Sequence, residues 1–548
     1  MSTTLQEDCI RDIIGDFVTN KNLVYHQVDS FNNYVTNGIQ QVIDEEPPIV
    51  VKLPKGKQYR VKFGEVYIPK ASLVEENRKI VLLTPHEART KNLNYDTPVY
   101  VDVTEETFED GKLVESVFHK RFNMFRQPVM RGSCLCNTFG ATDDELIAMG
   151  ECLDDLDGMF IIKGNERVLV GQLRARHDHV MVYKQKPSEK FKYIAEIRSM
   201  SEETGHSVLV QAKIGSDNRT LCFSLPYIKE PVAIGIVFKA FGYEEDILKL
   251  IGMSNITKAR EYLRLIIRDC FFIKTQAEAL KFIGERSLHT IQESKHSAYA
   301  WQVIETELFP HLGITATIKE KAMFLGHMVN KLLSTSIGLR SPDDRDNFAN
   351  KRVDDAGTLC RDLFRTLFKK YCKTIEKIFS KKNKRLSIMP VITRQTSITL
   401  GLKYCFGTGN WGAQKNAYIR TGVSQLVSRL TFPATLSHLR RLVIPIGKEG
   451  KNAKIRAIHT SSYGFICPVE TPEGPSAGIV LNYAYCTRVT KRIPTILVRE
   501  TLERLESIIL INDLEVDCIA DGTFVFLNGI VIGFSDEPDD VVEEVKTQ

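Results

Sequence analysis

A cluster of basic side chains between residues 437 and 459 is the part of this sequence best suited to binding a polyanion. Gly447 and Gly450 stand three residues apart, and such glycines favour a tight exposed loop with lysines at its tip. Arginine offers a planar fork of donors and lysine a point charge, so the pattern predicts contact with phosphates rather than readout of bases. The basic members of the cluster are Arg440, Arg441, Lys448, Lys451, Lys454 and Arg456.

The distribution of charge along the chain strengthens this prediction. The 548 residues carry a formal net charge of only +5. Residues 381–460 hold 15 Lys or Arg against the single acid Glu449, whereas residues 461–548 hold 6 basic and 15 acidic residues. A solvated surface is the usual explanation for a run of charge, but a block this one-sided favours a polyanionic partner such as nucleic acid.

A turn-rich segment follows the basic cluster. It reads Cys-Pro-Val-Glu-Thr-Pro-Glu-Gly-Pro-Ser-Ala-Gly from Cys467 to Gly478. Three prolines in twelve residues exclude a regular helix or a central strand, so the backbone fixes Glu470 and Glu473 in space. The residues alone fit either a structural corner or an element that positions groups near a site.

Two other motifs match ligand-binding patterns only superficially. Gly407–Gly412 fits G-x-G-x-x-G, but the acid that would hold a ribose about 20 residues later is missing. Asp154–Gly158 begins like a calcium loop but runs directly into the apolar residues 160–162. The twelve cysteines are scattered, which fits reduced thiols in an intracellular protein better than a zinc site. We therefore expect no dinucleotide and no metal bound by this chain.

The elements that must position these residues change type along the chain. Residues 50–220 show strand-like alternation, as in Val99–Val103, with a predicted hairpin whose turn is Gly164-Asn165. From about 225 to 385 the apolar period becomes helical, as in the stripes at 325–333 and 360–371. No signal peptide or membrane-spanning run is evident. The sequence predicts an α+β, multidomain chain.

Three segments together resemble a known family. Ser437–Arg441, Gly447–Lys451 and Cys-Pro-Val-Glu-Thr-Pro-Glu-Gly at 467–474 look like the fork region of the second-largest, β-type subunit of multisubunit DNA-directed RNA polymerases. The last motif is highly specific to that family, and the spacing is closest to archaeal and eukaryotic members, with large DNA viruses as a further source. Other stretches agree in chain order: Asp29–Asn32, Glu87–Arg89, Phe160–Leu169, Asp343–Asp346 and Gly409–Gly412.

The resemblance implies a domain order. It predicts an N-terminal segment at 1–14, the first part of a mixed β and helical protrusion at 15–173, an inserted and largely helical lobe at 174–350, the return of the protrusion at 351–408, the fork at 409–488 and the start of an incomplete external domain at 489–548.

The resemblance also implies roles at the fork. Gln425 matches a position near nascent RNA, Glu470 and Glu473 match positions adjacent to the active centre, and the basic cluster would contact template or separated DNA strands. No catalytic residue and no metal ligand is implied in this chain. The Mg²⁺ of the assembled enzyme would be held by a D-F-D-G-D motif of the largest subunit, which this sequence lacks.

The implied partners are the largest polymerase subunit, the C-terminal half of the β-type subunit, smaller polymerase subunits, template DNA and nascent RNA, with no membrane. The implied location is intracellular: a nucleus, a viral factory or virion, or an archaeal cytoplasm. The chain would be either a fragment or one half of a split subunit, and these alternatives stay open. A free-standing nucleic-acid-binding protein that uses the basic loop alone is the alternative from another functional class.

Overall fold

The chain forms two compact units, each with helices and sheets, which confirms the predicted α+β class. Residues 1–174 and 347–491 make the first unit, and residues 175–346 and 492–548 make the second. The predicted boundaries and names of the domains stay a prediction. A computed structural model describes residues 23–52, 57–74, 80–243, 247–253, 256–381, 396–412, 420–446, 453–490, 493–511 and 522–547.

The three longest strands of the first unit lie in a four-stranded antiparallel sheet, which also contains the predicted alternation at 99–103. Val99, Val101 and Val103 point to one face and are completely buried there. The strands, in spatial order, are Ile49–Lys52, Lys57–Tyr67, Asp96–Glu109 and Lys112–Pro128.

The other strands of the first unit are short, and its longest helix is Ala356–Lys381. Its other strands are Ser72–Val74, Ile80–Leu82, Phe160–Ile162, Asn165–Leu169, Gly171–Ala175, Lys351–Asp354, Ser424–Leu426, Arg441–Val443 and Val480–Asn482. Its α-helices are Tyr25–Asn33, Ile39–Glu45, Pro85–Thr90, Asp143–Ala148, Ala356–Lys381, Ser397–Thr408, Phe432–Leu439 and Ala453–Arg456.

The predicted hairpin forms, but its turn lies one residue earlier than expected. Ile162 pairs with Asn165, so the two turn residues are Lys163 and Gly164 rather than Gly164 and Asn165. Their φ angles of 50° and 75° are both positive, as a type I′ turn requires. The Gly-Asn prediction was wrong because Asn165 already belongs to the second strand.

The long helix Ala356–Lys381 contains the apolar stripe predicted at 360–371, and this prediction is confirmed. Phe364 and Phe368 of this stripe are completely buried. The ring of Phe364 stacks on Phe125 of the large sheet with 5.0 Å between ring centroids. The helix is therefore held by apolar contacts with the sheet, as an amphipathic helix should be.

The residues that match G-x-G-x-x-G have a structural function. Gly409 has a φ of 78° and ends the helix Ser397–Thr408, a left-handed position that favours glycine. The indole Nε1 of Trp411 donates a hydrogen bond to the backbone oxygen of Leu359 at 2.9 Å. The motif is thus a helix terminus followed by an anchored tryptophan.

Replacing Gly409 with alanine should destabilise the first unit by about 1–2 kcal/mol, since alanine adopts left-handed backbone poorly. A Cβ there would also stand 2.5 Å from the backbone oxygen of Ser424. The free energy of unfolding in urea measures the effect. Gly407→Ala is the matched control, because this position has open space around it and alanine favours the helix. Equal changes in the free energy of unfolding for Gly409→Ala and Gly407→Ala would contradict the role of Gly409 as a left-handed helix terminus.

The second unit begins with a sheet and continues with helices, so the predicted largely helical insert has a substantial β part. The stripe predicted at 325–333 is confirmed on the helix Ile318–Ser336, where Leu325, Met328, Val329, Leu332 and Leu333 are buried. The five strands, in order, are Met181–Lys184, Phe191–Met200, Ser207–Gly215, Leu221–Ser224 and Val232–Ala233. The other α-helices between residues 234 and 302 are Ile234–Ala240, Ile247–Ile251, Arg260–Asp269, Gln276–Gly284 and His296–Gln302.

Residues 493–547 add a small sheet to the second unit. Its strands, in order, are Ile509–Leu510, Ile530–Ser535 and Thr523–Leu527, and its helices are Thr495–Glu503 and Pro538–Thr547. Across all the ranges described above, no helix is both long and apolar enough to cross a membrane.

Candidate nucleic-acid interface

The two adjacent arginines of the basic cluster lie where a helix passes directly into a paired strand. Only Arg440 separates the end of the helix Phe432–Leu439 from the start of the strand Arg441–Val443. That strand runs parallel to Gly171–Ala175 and antiparallel to Val480–Asn482, so both of its edges are paired. The backbone of this arginine pair is therefore held firmly in place.

Arg440 is directed into the protein. Its side chain is 6% exposed, and its guanidinium donates to the backbone oxygens of Leu23, Ala484 (2.8 Å) and Tyr485 (3.3 Å). Burial lowers the pKa of Arg440. Because its donors are used by backbone carbonyls, the geometry favours a structural role, and nucleic-acid contact by Arg440 stays an untested prediction.

Arg441 differs from its neighbour. It is half-buried, and its Nε is inaccessible to solvent without any hydrogen-bond partner among the described residues. Burial lowers the pKa of Arg441, and the nearby Glu470 carboxylate opposes that shift. Glu470 is exposed and accepts a hydrogen bond from the Ser437 hydroxyl. Arg441 is thus a partly desolvated cation with an unused donor.

Gln425 lies in a hydrogen-bonded chain with His438. Gln425 occupies the middle of the short strand Ser424–Leu426 and is partly exposed. Its Oε1 accepts from His438 Nε2 at 3.0 Å, and its Nε2 donates to the backbone oxygen of Gly422 at 2.9 Å. Both ends of the carboxamide are therefore bonded within the protein.

The other predicted residues lie apart from this pair or outside the described ranges. Glu473 is exposed on the turn-rich segment, and Lys454 is exposed on the short helix Ala453–Arg456. Arg456 donates to the backbone oxygens of Pro475 (2.6 Å) and Ala477 (3.0 Å), which ties this helix to the turn-rich segment. Lys448 and Lys451 lie outside the described residues.

Sequence reasoning missed a network of ion pairs around Arg429. The Arg429 guanidinium binds Asp155 and Glu166, each at 2.6 Å. Asp155 also accepts from Arg131 at 2.8 Å, and Glu166 from Arg89 at 3.0 Å. These pairs raise the pKa of Arg429 and lower that of Asp155. The acidic stretch first compared with a calcium loop therefore anchors the segment that follows Gln425. No local pattern predicts this, since the partners are 263 and 274 residues from Arg429.

We expect His26 to make the stability of this region depend on pH. Its ring is buried close to Arg440, and burial lowers its pKa from 6.5 to about 3. Below about pH 6.5 His26 becomes protonated in the unfolded chain but stays neutral in the folded chain. Acidification should therefore lower the free energy of unfolding by about 1.4 kcal/mol per pH unit. Between about pH 7.5 and about pH 5 the loss from His26 should be about 2 kcal/mol. Urea unfolding at both pH values measures it, and His26→Phe should lose that much less stability than wild type. Equal losses of stability in wild type and in His26→Phe would contradict this effect of His26.

The described residues offer no site for a metal ion. No three His, Cys, Asp or Glu side chains there lie together as a ligand group. Six of the ten described cysteines, including Cys136 and Cys405, are buried free thiols.

Comparison with known proteins gives the family. Residues 22–399 match the family model described as RNA polymerase beta subunit, and residues 425–489 match the model described as RNA polymerase Rpb2, domain 3. The chain belongs to the RNA polymerase β-type subunit family. The resemblance inferred from the fork motifs is thereby confirmed.

The β-type relatives come from eukaryotes, viruses and archaea. DNA-directed RNA polymerase II subunit 2 of Arabidopsis thaliana is 35% identical, over 97% of this chain and 48% of the relative. The probable subunit RPB2 homolog of Invertebrate iridescent virus 6 is 33% identical, over 97% and 50%. DNA-directed RNA polymerase subunit Rpo2N of Methanocaldococcus jannaschii is 33% identical, over 88% and 96%. The chain thus spans about half the length of the first two relatives and nearly all of the archaeal one.

Proposed function

We propose that this chain acts as part of a DNA-directed RNA polymerase, in which it walls the DNA cleft and positions template DNA and RNA beside the active centre. The observation that carries the proposal is Arg441, a half-buried guanidinium whose backbone is fixed on a doubly paired strand. A phosphate is the anion whose geometry suits such a fork. Membership of the β-type family supports the choice of polymerase.

The remaining fork residues take their roles from the same proposal. Arg441, Lys454 and Arg456 contact template or separated strands, together with Lys448 and Lys451. Gln425 lies near the nascent RNA, and Glu470 and Glu473 stand beside the active centre without transferring protons. Arg440 holds the strand that carries Arg441.

The proposed reaction is attack of the RNA 3′ hydroxyl on the α-phosphorus of a nucleoside triphosphate, which forms a phosphodiester bond and releases pyrophosphate. Mg²⁺, when bound in the assembled enzyme, would neutralise the charge that develops. In this proposal the ion is held by the largest subunit, and no residue of this chain is assigned to it. The largest subunit, a C-terminal β-type half and smaller subunits are the proposed partners. The place of action is then a nucleus, a viral factory or virion, or an archaeal cytoplasm.

Purification of the tagged chain from its native source tests the proposal. We expect it to co-purify with a largest subunit and a C-terminal β-type half, and the complex to extend RNA on an RNA–DNA scaffold. The chain alone should give no extension. Recovery as a lone monomer that binds nucleic acid would instead support a free-standing binding protein.

A further inference from the structure

The loop after Gln425 is closed by one histidine that uses both of its ring nitrogens. The backbone N–H of Ser428 donates to His438 Nδ1 at 3.1 Å. A backbone N–H can only donate, so Nδ1 must be the acceptor and the neutral ring carries its proton on Nε2. The Nε2–H then donates to Gln425 Oε1 at 3.0 Å. Burial and the nearby Arg441 keep the pKa of His438 low, at about 4, which favours the same neutral form.

This arrangement determines which way the Gln425 amide points. Because its oxygen accepts the hydrogen bond from His438 Nε2–H, its nitrogen must be the atom that donates to the Gly422 carbonyl. A carboxamide has two lone pairs on oxygen and two hydrogens on nitrogen. One of each remains unused among the described contacts of Gln425, and the side chain is partly exposed. An acceptor and a donor are thus available to a ligand in one fixed orientation.

The histidine itself is held by its surroundings. Its ring is only 4% exposed, at the last turn of the helix Phe432–Leu439. Thr435 of the same helix donates to the Ser428 backbone oxygen at 2.7 Å. The helix therefore makes hydrogen bonds with both the N–H and the C=O of Ser428. The next residue, Arg429, is held by Asp155 and Glu166. Little freedom is left for the ring or the loop to move.

We propose that His438 is a positioning residue, which presents the Gln425 carboxamide in one orientation to the ribose or base edge of the nascent RNA. The inference rests on the proposed function, because the contact between Gln425 and RNA is part of that proposal. His438 touches no reacting atom, so its influence passes through Gln425. Loss of a neutral hydrogen bond of this kind should slow RNA extension about three- to tenfold.

Two amide substitutions separate the functions of the two ring nitrogens. In His438→Gln the side-chain nitrogen reaches about as far as Nε2 and can still donate to Gln425. In His438→Asn the oxygen stands about where Nδ1 stood and can accept from Ser428, but the donor to Gln425 is lost. We expect His438→Gln to keep extension near wild type and His438→Asn to slow it, measured as single-nucleotide extension on an RNA–DNA scaffold by the assembled polymerase.

A double-mutant cycle with Gln425→Ala completes the test. If His438 acts through Gln425, His438→Asn should add little once Gln425 is alanine. Full additivity, or extension rates that simply follow the melting temperatures of the variants, would overturn the positioning role while leaving Gln425 as an RNA contact. If Gln425→Ala alone leaves extension unchanged, the RNA contact proposed for Gln425 fails, and this inference fails with it.

Discussion

Replacing Arg441 with glutamine should weaken the affinity of the assembled polymerase for an RNA–DNA scaffold by about 10- to 100-fold. Charge-assisted hydrogen bonds are worth about 1.5–3 kcal/mol each, and glutamine keeps a donor but loses the charge. The salt dependence of binding should also change, since one fewer cation would displace counterions, and the slope of log K against log salt should fall by about 1. Titration of a fluorescent scaffold at several salt concentrations measures both effects.

The controls for Arg441 separate charge from shape. Arg441→Lys keeps the charge but loses the planar fork, so we expect a loss of affinity smaller than that of glutamine with the salt slope preserved. Arg504→Gln removes one exposed arginine from the second unit and should change neither quantity. Unchanged affinity and slope in Arg441→Gln would mean that this guanidinium meets no phosphate.

The same substitution one residue earlier should affect stability instead. Arg440→Gln leaves the backbone oxygens of Leu23, Ala484 and Tyr485 without the donors they have in the native chain. Each buried carbonyl left without a donor costs about 1–3 kcal/mol, so the free energy of unfolding of the first unit should fall by about 3–5 kcal/mol in total. Urea unfolding or the melting temperature of the complex measures it.

Arg440 and Arg441 are each other's matched control. We expect Arg440→Gln to reduce stability strongly while the folded fraction retains the normal salt slope, and Arg441→Gln to do the reverse. If folded Arg440→Gln shows a changed slope of log K against log salt, Arg440 also contacts phosphate. A loss of stability in Arg441→Gln as large as that in Arg440→Gln would contradict the division of roles.

The parts of the fold that could be predicted from the sequence are those set by local periodicity. Strand alternation at 99–103 and the helical stripes at 325–333 and 360–371 are all present. The hairpin turn was predicted one residue too late, because Lys163 adopts a positive φ that its residue type does not favour. Strand pairing over long sequence separations, such as that of Ser424–Leu426 with Asn165–Leu169, has no local signal.

The candidate site was predictable as a region but not residue by residue. Basic composition predicts that residues 437–459 meet a polyanion, which stays a prediction, and Arg440 and Arg441 look alike in the sequence. Which of the two is buried depends on carbonyls supplied by residues 23, 484 and 485, far away along the chain. The positioning role that we propose for His438 likewise depends on a backbone N–H ten residues away and on the tautomer that this bond imposes.

The central claim, that the segment around Gln425 and Arg441 positions nucleic acid inside a polymerase, is tested most directly by photocrosslinking. Leu426 is 58% exposed next to Gln425, and a photoreactive amino acid can replace it in the assembled enzyme on an RNA–DNA scaffold. Ile496, 64% exposed in the second unit, serves as the control position. We predict a crosslink from position 426 to the nascent RNA near its 3′ end and none from position 496. Crosslinks from position 426 only to protein, with nucleic acid bound and RNA being extended, would contradict the claim.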